Sequence, residues 1–298
     1  MKELSDARVF YAFSGNLQPA LTVDSGETVR IQTKDCLGNQ VKRAVDGLDT
    51  IDWDVMNPVT GPIFVRGAVA GGALEIRIER IEIDEPAASC TGCEERAYSD
   101  LFARASTRLC AIEGDELVWN DRLRIPVNPT VGVVGVAPAR GSVSSGTAGV
   151  HGGTLDIGAA AAGSVLYLPV AVEGALFGCG GVRAVVGDGE IGFSGAEVSG
   201  HVVATLIARP DLHLLNPLLD TPTHRGVVAS AATLDAAASE AVHDMVALVH
   251  RATGVDVDEL AMLFSLVGEV EVCQMADTPK TVRFMVPRYV LDAYGFEL

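Results

Sequence analysis

Short apolar or alternating runs separated by glycine dominate the first 208 residues, and this pattern most restricts the folds open to the chain. The run Leu74–Ile83 is typical, because apolar residues alternate with charged ones along it and the phase changes once near Arg80. Such alternation predicts a strand with one buried face, and the change of phase predicts a bulge or a bend. Many short strands joined by glycine-rich turns predict a β-sandwich or a barrel.

The periodicity changes in the last third of the chain. Apolar residues recur at three- and four-residue steps from Leu234 to Val249, which predicts a helix with one apolar stripe. Gly254 follows as its C-terminal stop, and Asp256 then begins a second helix with the spacing of a capping box. Two strand-like runs come after these helices, at 269–274 and 282–286.

We therefore predict a mainly β fold, with a β-sandwich-type core and a smaller α/β C-terminal part that carries a helical pair. The expected division is a β-rich body at residues 1–208 and a C-terminal part at residues 209–298 packed on it. The two parts can also form one continuous domain.

Charge and hydropathy exclude several classes of function. The formal net charge is -17, which repels a phosphate backbone, so we expect no nucleic-acid partner. No apolar run reaches the roughly 18–20 residues that span a bilayer, and the first ten residues do not resemble a secretory signal. Six cysteines in 298 residues are too sparse for a disulfide scaffold. We expect a soluble cytoplasmic protein with free thiols and no membrane partner.

Two short motifs are weak signals. Gly187–Gly192 matches the pattern GxGxxG, but the residues after it do not read as a helix, which a dinucleotide site requires. Cys90 and Cys93 have the spacing of half a zinc or redox motif, with no second pair at a suitable distance. We therefore expect neither a dinucleotide site nor a zinc finger.

Polar residues with catalytic or ligating chemistry concentrate in three places inside apolar sequence. Asp35 ends a strand-like run, His151 and Asp156 flank a glycine pair, and Glu190 closes a glycine-rich turn. His151, Asp35 and Asp156 would make a reasonable ligand set for a divalent metal, with Glu190 as general base. Each residue alone has an ordinary structural interpretation, since aspartates brace turns and a histidine is a common buried hydrogen-bonding group.

In these and other segments the chain resembles the acetamidase/formamidase family, in order, over most of its length. The segments that carry the resemblance are 19–29, 33–36, 57–62, 131–138, 151–153, 163–169, 174–177, 187–190 and 262–274. Residues 85–116 fit the family poorly.

The resemblance implies an enzyme that hydrolyses the C–N bond of a small linear amide such as formamide or acetamide, although some members act on lactams. It also implies a β-sandwich core, a homodimer, and a divalent metal such as zinc or calcium. We assign Asp35, His151 and Asp156 as metal ligands, and Glu190 and Asp188 as catalytic acid–base residues.

Two residues depart from the family pattern. Thr154 stands where the family has asparagine, and Arg183 stands where it has histidine. An arginine has no lone pair for a metal, so Arg183 either removes a ligand or contacts an anionic substrate. We place Arg183, Thr154 and Gly152 among the substrate-binding residues. The alternative function is a family member that has lost catalysis and acts as a small-ligand-binding or structural protein.

Overall fold

The computed structural model describes residues 1–42, 51–84, 87–91, 98–102, 106–192 and 194–298. The fold is mainly β, as predicted, with 44% of residues in strands and 15% in helices. The strands are β1 (Lys2–Leu4), β2 (Val9–Phe10), β3 (Ala12–Ser14), β4 (Leu21–Asp24), β5 (Glu27–Thr33), β6 (Val59–Arg66), β7 (Ala73–Ile83), β8 (Ala87–Thr91), β9 (Ser106–Glu113), β10 (Glu116–Asn120), β11 (Leu123–Pro126), β12 (Thr130–Gly135), β13 (Ser142–Ser144), β14 (Gly152–Thr154), β15 (Val165–Pro169), β16 (Phe177–Val185), β17 (Ala196–Glu197), β18 (Gly200–Arg209), β19 (Leu218–Asp220), β20 (His224–Ala231), β21 (Glu269–Gln274) and β22 (Lys280–Pro287). The helices of the described ranges are α1 (Leu234–Thr253), α2 (Val257–Val267) and α3 (Arg288–Ala293), and 3₁₀ turns span Trp53–Val55 and Ser99–Leu101.

These strands form two large sheets. The first has the order β1-β5-β18-β7-β15-β19-β20-β22-β21. The second has the order β11-β10-β9-β8-β17-β16-β12-β14, and β6 adds β2 and β4 to it through its pairing with β16. β3 and β13 pair separately as a two-stranded ribbon.

The main hydrophobic core lies between the two sheets. One contiguous cluster includes Val29 and Ile76 from the first sheet and Val134, Phe177 and Val182 from the second, all at most 3% exposed. Alternating strands bury one side chain in two, so two sheets that face each other share one apolar layer. This is the sandwich-type core that the alternating runs predicted.

Strand β7 and its bulge match the alternation of apolar and charged residues in the sequence. It spans Ala73–Ile83, which contains the predicted run, and its pairing with β18 shifts register between Val203 and Ala204. Their partners are Arg80 and Ile78, so the bulge falls where the phase changes. After Gly187–Gly192 the chain continues into β17 and β18, so the helix that a dinucleotide site needs is missing from this described segment.

The C-terminal part contains the predicted helices and returning strands. Thr233 caps α1 by accepting a hydrogen bond from the Ala236 amide, and Gly254 ends it in the left-handed conformation with φ 73°. Asp256 caps α2 through the Asp258 amide at 2.9 Å, so a simple N-cap replaces the predicted capping box.

The first sheet runs across the predicted division at residue 208. β15 pairs with β19, and β19 leads through β20 to β22 and β21, while the helices pack against the same sheet in a second apolar cluster. The C-terminal strands therefore extend a sheet of the body.

The described residues bear on two expectations, that no segment spans a membrane and that the cysteines form no disulfides. None of the helices in the described segments is long and apolar enough to cross a membrane. Cys36, Cys110, Cys179 and Cys273 are buried and form no disulfide with one another, as expected. The side chains of Cys90 and Cys93 lie outside the described residues.

A matched pair of leucines in α2 tests how this helix packs. Leu260 is 1% exposed in the second cluster, whereas Leu266 on the same helix is 82% exposed. We expect Leu260→Ala to lower the free energy of unfolding by about 2–4 kcal/mol, because it removes buried methyl groups and leaves a cavity. Leu266→Ala should change it by less than about 0.5 kcal/mol. Urea unfolding followed by circular dichroism measures both, and equal losses would contradict this packing.

Candidate active site

A buried arginine lies at the centre of the polar residues in the second sheet. Arg183 is in β16 and is 3% exposed. The strand register pairs it with Thr130 of the neighbouring strand β12, and its guanidinium lies against Gly132 of that strand. A Cβ atom at position 132 would lie 1.8 Å from Nη1 of Arg183. Glycine at this position is therefore what leaves room for the guanidinium inside the sheet.

Each nitrogen of this guanidinium donates to a different carboxylate. Nη1 donates to Asp156 Oδ1 at 2.5 Å, Nε to Glu197 Oε1 at 2.7 Å, and Nη2 to Glu190 Oε1 at 3.4 Å. All three acidic side chains are at most 6% exposed. We call Asp156, Glu190 and Glu197 the carboxylate cluster.

Three separate elements bring the cluster together. Glu197 pairs directly with Arg183 in the antiparallel register of β17 and β16. Asp156 follows β14 with φ 51°, and Glu190 follows β16 in the turn that contains Gly189, with φ 33°. Residues other than glycine rarely adopt positive φ, and such conformations concentrate at functional sites where the surrounding structure holds them.

The cluster has more negative charge than its one cation balances. Oε2 of Glu190 and Oε2 of Glu197 are buried and have no hydrogen-bond partner among the described residues. Burial raises the pKa of Glu190 to about 8, although Arg183 acts in the opposite direction. Burial also raises the pKa values of Asp156 and Glu197. The cluster therefore holds at least one proton near neutral pH.

A cavity of about 400 Å³ opens beside the cluster. Its lining comprises Tyr11, Cys36, Trp53, Asp54, Met56, Asn57, Ser144, Gly146, Thr147, Thr154, Asp156, Arg183, Glu190, Gln274, Ala276 and Asp277. Among these residues Arg183 is the single cation, and its three nitrogens already donate to carboxylates. The side chains of Tyr11 and Asn57 are neutral donors with no hydrogen bond to the described residues.

The C-terminal part supplies one wall of this cavity. Gln274 ends β21, and its neighbour Met275 donates a backbone hydrogen bond to Gly189 at 3.3 Å. The Gly189 amide donates in turn to the Cys273 carbonyl at 3.1 Å. The turn that carries Glu190 is thus attached to β21, and the cavity depends on both parts of the chain.

Four of the predicted site residues meet at the cavity: Glu190, Asp156, Arg183 and Thr154. Thr154 is 5% exposed, and its hydroxyl donates to the Ser145 carbonyl at 2.9 Å. This bond fixes the loop that forms the adjacent wall, where Ser144, Gly146 and Thr147 line the cavity.

Two other predicted residues lie outside the lining. Asp188 is paired with Arg283, with Nη2–Oδ2 and Nη1–Oδ1 distances of 2.6 and 3.0 Å, and its side chain is 42% exposed. Gly152 is in β14, where a Cβ atom would lie 2.1 Å from the Val134 carbonyl oxygen. Gly152 therefore permits close strand pairing, and Asp188 connects its turn to β22.

The predicted metal ligands Asp35 and His151 also lie away from the lining. Asp35 accepts a hydrogen bond from the Asn39 amide at 2.7 Å, and burial raises its pKa. His151 packs edge-on against Phe13 with ring centroids 5.4 Å apart, and burial lowers its pKa to about 4. Its Nε2 atom is buried without a hydrogen-bond partner among the described residues.

The donor set can be tested directly for a metal. Within the described ranges, no group of three histidine, cysteine, aspartate or glutamate side chains is arranged to hold a metal ion. Asp35, His151 and Asp156 do not form such a group, and Asp156 is paired with Arg183. The divalent metal stays a prediction from the resemblance, and these side chains do not fit it.

Glu197 is the functional candidate that sequence reasoning missed. Its side chain is fully buried, between the apolar residues Ala196 and Val198. A lone glutamate between buried apolar neighbours was the available signal, because a carboxylate is rarely buried unless it is paired. Its partner Arg183 is brought to it only by the strand register.

Comparison with known proteins gives consistent matches. The sequence model of the acetamidase/formamidase family matches residues 3–144 and 146–208. A crystal structure of a recombinant predicted acetamidase/formamidase from Thermoanaerobacter tengcongensis superposes with a TM-score of 0.97 at 39% identity, covering 100% of this chain and 99% of that one. An acetamidase from Bacillus halodurans gives 0.97 at 35% identity, covering 99% and 100%.

A curated relative matches over a smaller part. The "Putative formamidase" of Schizosaccharomyces pombe is 24% identical over 253 residues. The match covers 61% of this chain, and the chain spans about 60% of the length of that relative.

The raised pKa of Glu190 predicts a pH dependence of stability. Between its ordinary value of 4.5 and about 8, folded Glu190 holds a proton that the unfolded chain has released. Its contribution to stability is therefore complete below 4.5 and is lost as pH rises through 8, by at most about 1.4 kcal/mol per pH unit. We expect Glu190→Gln to flatten the decline of the urea midpoint from pH 5 to pH 8. Parallel profiles for the two proteins would contradict the shift.

Proposed function

The chain belongs to the acetamidase/formamidase family, and on that premise we propose that it hydrolyses the C–N bond of a small linear amide in the cavity beside Glu190. One observation carries the proposal. The Glu190 carboxyl is buried in the cavity wall, has one oxygen without a partner, and has its pKa raised to about 8. Such a group exchanges a proton readily near neutral pH, as general acid–base catalysis requires.

The reaction follows from this placement. The ionised Glu190 carboxylate takes a proton from a water molecule, and the water oxygen attacks the carbonyl carbon of the amide. Glu190 then gives the proton to the nitrogen as the C–N bond breaks, which releases ammonia and the carboxylic acid. Asn57 and Tyr11 are the neutral donors in the same lining, and they stabilise the charge that develops on the carbonyl oxygen.

The lining also favours a class of substrate. A volume of about 400 Å³ is at the small end of ligand pockets, which suits a small amide. The acidic residues of the lining are Asp54, Asp156, Glu190 and Asp277, while each nitrogen of Arg183 already donates to a carboxylate. A neutral amide is therefore preferred to a carboxylated one, and the idea that Arg183 selects an anionic substrate loses support.

A second candidate function is ligand binding without catalysis. Its specific support is the pairing of Asp156 and Glu190 with Arg183, since a carboxylate held by a guanidinium is a weaker base. Under this alternative the cavity still binds a small polar molecule. Ammonia release from formamide and acetamide distinguishes the two functions.

Two further expectations come from the sequence: the homodimer from the resemblance, and the cytoplasmic location from composition and hydropathy. The homodimer and the cytoplasmic location stay predictions, and neither enters the proposed reaction.

Adjacent acidic residues provide a matched test of the catalytic assignment. We expect Glu190→Gln to reduce kcat for ammonia release roughly 100-fold or more, because the amide cannot accept the proton. Asp188→Asn, two residues away, should leave kcat within about threefold, since Asp188 is paired with Arg283 outside the lining. Circular dichroism confirms that both variants are folded. A larger loss in Asp188→Asn than in Glu190→Gln would reverse the assignment.

The pH–rate profile tests the direction of proton transfer. A general base must be ionised, so kcat/KM should rise with pH and level off above about 8, where Glu190 is ionised in the free enzyme. A steady-state series with acetamide from pH 5.5 to pH 9.5 gives the profile. A rate that falls through pH 8 would instead show that Glu190 works first as an acid.

A further inference from the structure

We propose that Arg183 is the permanent cation of the carboxylate cluster and that it excludes a divalent metal from this site. The inference concerns the same cavity as the proposed function. Its test measures metal binding and needs no catalytic activity, so the failure of either proposal can be recognised separately.

The first argument is the donor arrangement. A metal binds through lone pairs, and at this site one oxygen of each carboxylate already accepts a hydrogen bond from Arg183. The guanidinium carries five N–H donors, has no lone pair to offer, and stays charged at physiological pH. The three carboxylates raise its pKa well above the ordinary value, against the effect of burial. Arg183 is therefore not removed from the site by deprotonation.

The second argument is space. The guanidinium lies so close to Gly132 that a Cβ atom there would overlap Nη1, and its three nitrogens are held by partners on three elements. A metal among the same carboxylates would stand within a few ångströms of a fixed positive charge in a buried, poorly screened environment. The cluster therefore accommodates one cation, and that cation is the side chain of Arg183.

The third argument is the imbalance of charge. Three carboxylates around one guanidinium leave two negative charges, and Oε2 of Glu190 and Oε2 of Glu197 are buried without partners among the described residues. A divalent ion in place of Arg183 would leave one negative charge, whereas Arg183 leaves two, and the raised pKa of Glu190 lets a proton offset part of them. Arg183 is thus a positioning residue that holds the carboxylates together and leaves Glu190 able to exchange a proton.

The remainder of the described chain offers no replacement site. No other group of three suitable side chains within those ranges is arranged to bind a metal. Asp35 and His151 are absent from the cavity lining and from the ion pairs of Arg183, although the charge of Asp35 acts on Glu197.

The first measurement uses the wild-type chain. The protein is expressed without an affinity tag, dialysed against zinc, manganese or calcium in turn, passed through a desalting column, and assayed for metal by elemental analysis. We expect far less than one metal per chain in each case. Ammonia release, where it is present, should be unchanged by a chelator.

The second measurement replaces the cation by a ligand. Arg183→His places an imidazole among three carboxylates, a set of donors that zinc accepts, so we expect a gain of about one zinc per chain and a zinc-dependent increase in Tm. Arg225→His is the matched control, because Arg225 is also buried at 7% exposure but donates to Asp220 alone. We expect no zinc at that position. Circular dichroism checks that each variant is folded.

Two results would overturn the proposal. One is a wild-type metal, near one per chain, that persists in the Cys90→Ser/Cys93→Ser variant and disappears in Asp156→Asn. The other is a folded Arg183→His variant that takes up no zinc. A wild-type metal lost with Cys90 and Cys93 belongs to that segment and leaves the proposal standing. Should Arg183→His fail to fold, since removing one member of a buried ion-pair network is costly, the wild-type measurement decides alone.

Discussion

The structure of the site depends on one buried interaction, between the guanidinium of Arg183 and three carboxylates. A charge in a protein interior is tolerated only when partners replace the water it has lost, and here each of the three nitrogens has an acidic partner. The acidic residues come from β17, from the segment after β14 and from the turn after β16. Their requirement for a common cation brings these elements to one place in the second sheet.

The same interaction explains the reactivity of the site. Burial raises the pKa values of the three acids, and one arginine only partly opposes this. The pKa of Glu190 reaches about 8. Glu190 also lies at the cavity, in a turn with φ 33° that is held against β21 by backbone hydrogen bonds to Gly189. Glu190 therefore combines a raised pKa with a position at the cavity. The first comes from burial among acidic groups, and the second from the backbone conformation of its turn.

Local periodicity predicted the fold better than it predicted the site. The β7 run, its bulge and the two helices follow from side-chain spacing within one segment, so the sequence was sufficient for them. Side-chain partners across strands depend on register, which is a long-range property. Glu197 was therefore missed, and Asp188 was assigned to catalysis although it faces Arg283. Asp156, Glu190 and Arg183 were each predicted as site residues, but not the ion pairs that join them.

The basicity that a catalytic base needs depends on whether an arginine or a metal ion lies beside it. A divalent metal acidifies its water, so a weak base is sufficient to complete the proton transfer. A guanidinium has no coordination site for water. If Arg183 excludes a metal as we propose, the hydrolysis must take its proton from ordinary water. That task requires a carboxylate of unusually high pKa, and burial beside an excess of acidic groups supplies one in Glu190. The cation and the base are thus linked, because burial raises the pKa of Glu190 and Arg183, which is shared among three acids, offsets only part of that increase.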